Sequence, residues 1–207
     1  MGQITGVRRQ LDRNCGAVAL TFDDGPDPEQ TPALLDELKR LGVVATFFLV
    51  GERARAHPLI VQRIIADGHA VGSHSDSHPE PWAVPFRHLV RDYRQGRAHV
   101  EWAAERPVPL FRPPKGYVKG FAAMAAFVAR VRPWLWSIDP EDWQPGVRPA
   151  DILAGLTDLR AGDVVLLHDA LEGPLAPSAV DRSATRAALP AIAALAGERG
   201  LRFTALT

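Results

Sequence analysis

The chain has 207 residues, 46% of them hydrophobic, which fits one domain with a sizeable core or at most two small ones. Lysine plus arginine equals aspartate plus glutamate at 24 each, so the balance favours neither nucleic acid nor an anionic membrane surface as main partner. The single cysteine, Cys15, excludes an internal disulfide and a cysteine-based zinc knuckle, and no apolar run approaches the ~20 residues of a membrane span.

Met1 to Asn14 are polar and basic, without the apolar stretch of a signal peptide. The compartment therefore stays open between the cytoplasm and an exported form whose leader has been removed. The first strong element is Val18 to Phe22, an apolar run that stops at Asp23-Asp24 and then Gly25-Pro26. Thr31-Pro32 reads as N-cap and first residue of a helix, with Leu34, Leu35, Leu38 and Leu41 on one face and Gly42 as the stop. Val43 to Val50 predicts a strand buried on both faces, which Gly51 ends. A helix starts near His57-Pro58, and His69 to Ser73 is a short strand. Ser75 to Pro85 is a polar loop, and Phe86 to Ala104 is a long helix.

Val108 to Phe111 predicts the fourth strand, broken by Arg112-Pro113-Pro114. A helix over Gly120 to Arg130 precedes a fifth strand over Trp134 to Ile138 and a loop from Asp139 to Pro149. Ala150 to Leu159 is helical and Asp163 to Leu167 is the sixth strand. A loop over Glu172 to Ser178, a helix over Arg182 to Ala196 and a strand over Leu201 to Leu206 complete the chain. Strands alternating with helices imply βαβ units on a parallel sheet, and the absence of a Gly-x-Gly-x-x-Gly fingerprint favours a complete or distorted barrel over a dinucleotide fold.

Parallel barrels gather reactive groups at the C-terminal ends of their strands. Here those ends carry Asp23-Asp24, His74 and His78, Arg112, Asp139 with Asp142-Trp143, and His168-Asp169. His74-x-x-x-His78 puts two imidazoles about one helical turn apart, close enough to bind one metal ion. Asp24 would complete a two-histidine, one-carboxylate set with open positions for water and substrate. Asp23 is then left to act as a base, with Arg112 holding it ionised. His168 can protonate a leaving amine, and Asp142 can support the imidazolium.

Thr21-Phe22-Asp23-Asp24-Gly25, His74-Ser75-x-x-His78, Arg112-Pro113-Pro114-Lys115-Gly116, Asp139-x-x-Asp142-Trp143 and Leu166-Leu167-His168-Asp169 resemble, in order, the five motifs of the polysaccharide deacetylases. This is the NodB homology domain of carbohydrate esterase family 4, and the likeness spans roughly residues 17 to 206. It implies a distorted (β/α)7 barrel in a single α/β domain and metal-dependent hydrolysis of sugar acetyl groups. The N-acetyl group of N-acetylglucosamine units is the first expected substrate, in a glycan or a smaller conjugate. It implies zinc as the usual ion, with cobalt or another divalent ion in some members. Residues 1–16 would be an extension and 17–207 the catalytic domain, a monomer without nucleic-acid or membrane-inserted partners.

Carried onto this chain, the resemblance makes Asp23 the base, His168 the acid, and Arg112 and Asp142 the groups that tune them. Asp24, His74 and His78 become the metal ligands, and Trp143 and Leu166 the pocket for the acetyl methyl. Many members have tyrosine where Lys115 stands, and its backbone N–H, retained here, would help bind the oxyanion. Two other readings share the scaffold: hydrolysis of a different amide, such as a formyl or cyclic amide, and sugar binding without turnover.

Overall fold

The computed structural model describes residues 6–171 and 181–207. Its strands are β1 (Ala17–Asp23), β2 (Thr46–Leu49), β3 (Ala70–Ser73), β4 (Leu110–Phe111), β5 (Arg132–Pro133), β6 (Val164–His168) and β7 (Arg202–Phe203). Helices are α1 (Gln30–Leu41), α2 (Gly51–Ala56), α3 (Pro58–Ala66), α4 (Phe86–Ala104), α5 (Gly120–Ala129), α6 (Pro149–Ala154) and α7 (Ser183–Glu198). The strands form one parallel sheet in the order β5-β4-β3-β2-β1-β6, with β7 beside the start of β1. A bridge between Ile138 and Val165 brings the segment after β5 back to β6 and curls the sheet into a distorted barrel.

Alternation along the strands sorts the core. Val18, Leu20 and Phe22 of β1 face outward with Phe47, Leu49, Val165 and Leu167, and the leucines of α1 and Val61 and the isoleucines of α3 pack on them. Ala19, Phe48, Leu110, Trp134, Val164 and Leu206 fill the interior below the site. Burying a side chain of the Leu or Phe class contributes about 1.5–3 kcal/mol, so these two layers fix the strand register on which the site depends.

Three elements depart from the sequence reading. Thr31 is not the N-cap of α1: the helix begins at Gln30, and Asp27 Oδ1 accepts from the backbone N–H groups of Glu29 and Gln30, each at 2.8 Å. A short helix, α2, follows β2 directly, because Gly51 and Glu52 donate to the Ser75 and Asp76 carbonyls of the next loop. The expected strand Trp134 to Ile138 is displaced to Arg132–Pro133. The carbonyls of Trp134 and Leu135 are turned to Arg112, whose Nε and Nη2 reach them at 3.1 Å.

Residues 8–11 lie against the barrel, with Arg8 N–H on the Pro133 carbonyl and Leu11 N–H on the Gly162 carbonyl. The expected loop over Glu172 to Ser178 falls outside the described residues.

Candidate active site

Strand β1 points Ala19, Thr21 and Asp23 inward, and the next residue of a regular strand would point out. Asp24 instead takes a left-handed φ of +75°, so both carboxylates line the same cavity of about 330 Å³. His74 and His78 enter it from the loop after β3, not from a helical turn; Ser75 and His78 are themselves left-handed, with φ of +68° and +49°. The two imidazole rings lie 5.0 Å apart, centroid to centroid.

Asp24 Oδ1 stands 3.4 Å from both His74 Nε2 and His78 Nε2. His74 Nδ1 lies 2.8 Å from the Arg112 carbonyl, an acceptor, so Nδ1 carries a proton and Nε2 is the nitrogen turned to the carboxylate. Burial, aided by the charge of His74, pushes His78 down to about 3 and keeps its imidazole neutral. Two imidazole nitrogens around one carboxylate oxygen suit a cation. Donors about 2.1 Å from a tetrahedral centre stand about 3.4 Å apart, the spacing seen here. Among the described residues Asp24, His74 and His78 thus form a group able to hold a metal ion.

Asp23 faces a different partner. Its Oδ1 accepts from Arg112 Nη1 at 2.6 Å, and its Oδ2 points to the cavity 3.7 Å from His74 Nε2. Arg112 is fully buried, stacks 4.1 Å above the Phe48 ring, and also donates to Thr21 Oγ1 at 2.7 Å. Every nitrogen of the guanidinium donates to a buried acceptor, so the ion pair is rigid as well as dry.

Across the cavity, His168 at the end of β6 is bonded through Nδ1 to Asp142 Oδ1 at 2.7 Å. Asp142 is fully buried; its Oδ2 accepts from the His168 backbone N–H at 2.9 Å and from the Thr185 hydroxyl at 2.8 Å. Burial alone would lower the His168 pKa, but the charge and hydrogen bond of Asp142 outweigh it and raise the group to about 9. The imidazole is protonated at neutral pH.

Lys115, Trp143 and Leu166 line the cavity, which Asp139 and Trp136 also border. Arg112 and Asp142 lie behind it, each held to the group the sequence reading paired it with. Sequence reasoning missed Thr21, although strand period two puts it on the face of Asp23. It also missed Thr185, a contact across 43 residues that no local pattern signals. Asp169, quoted in a motif without a role, is buried; it accepts from Gly25 N–H at 3.2 Å and the Thr31 hydroxyl at 2.5 Å, tying down the turn that carries Asp23 and Asp24. Burial raises its carboxyl to about 7.

The sequence profile of the polysaccharide deacetylases matches residues 10–126. The peptidoglycan-N-acetylglucosamine deacetylase of Bacillus cereus is 34% identical over 204 residues, 97% of this chain and 91% of the relative. The chitooligosaccharide deacetylase of Sinorhizobium fredii is 36% identical over 82% of this chain and 80% of its own. A family 4 carbohydrate esterase from Streptomyces lividans, solved in complex with acetate, superposes with a TM-score of 0.82 at 27% identity, covering 93% of this chain and 94% of that one. With its motifs gathered on one barrel rim, the chain belongs to the polysaccharide deacetylase family.

Proposed function

We propose that this chain deacetylates N-acetylglucosamine units of a glycan, with Asp24, His74 and His78 holding one divalent ion. Zinc suits two imidazole nitrogens and one carboxylate better than the hard cations, which prefer oxygen alone. When bound, the ion supplies Lewis-acid polarisation of the acetyl carbonyl and lowers the pKa of water at the site.

The protein groups divide the proton transfers. Asp23, held as an anion by Arg112, takes the proton of the attacking water through the oxygen it turns to the cavity. His168 has Nδ1 occupied by Asp142, so Nε2 delivers the proton to the leaving nitrogen. Lys115 offers its backbone N–H to the carbonyl oxygen as charge develops there. Trp143 and Leu166 form the apolar wall for the acetyl methyl and exclude water from it. All of these groups come from one chain.

The observation that carries this reading is the single carboxylate oxygen of Asp24 set 3.4 Å from two imidazole nitrogens, with Asp23 beside it committed to Arg112. The names of the two relatives support the N-acetylglucosamine class. The test is acetate release from chitooligosaccharides and peptidoglycan fragments by zinc-loaded protein, alongside metal analysis of His74→Ala. Release of acetate, and loss of metal and activity in the variant, are expected. Full metal content in a folded His74→Ala protein contradicts the ligand assignment.

A further inference from the structure

Helix α4 has a polar device on its inner face that the reaction above does not use. Asp92, Gly96 and His99 recur at i, i+4 and i+7, so they form one row, and the row faces the loop between β3 and His78. The buried Asp92 carboxylate accepts from the backbone N–H of Asp76 at 3.0 Å and of Ser77 at 3.2 Å. It also accepts from the Ser77 hydroxyl at 2.7 Å. One turn on, Gly96 has no side chain where a Cβ would come within 2.2 Å of the Ser75 carbonyl, so the helix backbone touches the loop backbone. A further turn on, His99 Nδ1 lies 2.7 Å from the Asp76 carboxylate. From the other side, α2 donates through Gly51 and Glu52 to the carbonyls of Ser75 and Asp76.

The loop needs such a clamp. Ser75 and His78 are both non-glycine residues in left-handed backbone, a conformation that persists only when surroundings impose it. The Ser75 hydroxyl accepts from the His78 N–H at 3.1 Å, but that bond lies within the loop and cannot fix the loop to the barrel. Asp92 can: a carboxylate gathering several N–H and O–H donors makes charge-assisted bonds that a neutral side chain does not reproduce.

We propose that Asp92 is a positioning residue for His78: from α4 it fixes the Asp76-Ser77 backbone, and so sets the place of the imidazole facing Asp24. The inference rests on His78 being a metal ligand. Groups that orient a ligand without touching the ion typically change affinity by about 10–100-fold when removed.

The test is zinc affinity of the full chain, measured by competition with a chromophoric chelator, for wild type, Asp92→Asn, His78→Ala, the double variant and Ser77→Ala. Asp92→Asn keeps the shape but turns an amide N–H₂ toward backbone donors. About 10–100-fold weaker zinc binding is expected in it, and a few-fold loss in Ser77→Ala, which removes only the hydroxyl bond. Because Asp92 acts through His78, the double variant should bind no more weakly than His78→Ala alone. Unchanged affinity in Asp92→Asn while His78→Ala loses zinc overturns the proposal and leaves the ligand assignment standing. Full zinc affinity in His78→Ala overturns both. If Asp92→Asn does not fold by circular dichroism, Ser77→Ala decides, and unchanged affinity there overturns the proposal.

Discussion

Two buried carboxylates face each other across this site in nearly identical ion pairs. Asp23 meets Arg112 at 2.6 Å and Asp142 meets His168 at 2.7 Å. The difference lies in what the cation can do. A guanidinium does not release its proton, so the first pair fixes a charge and leaves Asp23 as an anion with Oδ2 turned to the cavity. An imidazolium does release its proton, so the second pair makes a donor whose strength Asp142 sets. Asp142 has both oxygens occupied, by His168 and Thr185, and tunes without reaching the cavity. In the proposed reaction the same electrostatic element gives a base on one side of the cavity and an acid on the other, according to the partner's acidity.

Breaking the pairs should separate them. Arg112→Ala is expected to have the largest effect, because it leaves Asp23 charged, buried and unpaired. Removing one partner of such a pair costs about 3–5 kcal/mol of stability. Denaturant unfolding of metal-loaded protein measures it, and a loss under 1 kcal/mol would show that Asp23 does not depend on Arg112. Asp23→Asn comes next: roughly 10²–10⁴-fold lower kcat with metal retained, the scale of general-base loss. Metal loss equal to that of Asp24→Asn would show that Asp23 is itself a ligand.

The two pairs were unequally legible in the sequence. Asp23, Arg112 and His168 each follow an apolar run, and parallel-barrel logic alone puts them on one rim. The anchors were hidden. Thr185 reaches Asp142 from α7, and Arg182, just before that helix, donates to the Asp142 carbonyl at 2.9 Å; both contacts are tertiary and leave no periodic trace. Fold reading failed where polar groups override pattern. Trp134 to Ile138 has the composition of a strand, yet its first carbonyls bind a guanidinium instead of a neighbouring strand. Gly51–Ala56 is too short and too charged to show an apolar face, and the loop carrying His78 holds it in place. Asp92 is one of two acidic residues on a long helix, and only the loop packed beside it reveals its contacts.

The division of labour is tested most directly by the pH profile of kcat/KM for wild type and Asp142→Asn, with metal content checked at each pH. In the proposed mechanism His168 acts protonated, so the wild-type rate should fall as pH rises through about 9. Without Asp142, burial is opposed only by the weaker pull of the Asp24 and Asp23 charges, so the alkaline limb should move to lower pH and the maximum should drop. A folded, metal-loaded Asp142→Asn enzyme whose alkaline limb stays near pH 9 would contradict the pairing of Asp142 with His168 as the tuned acid.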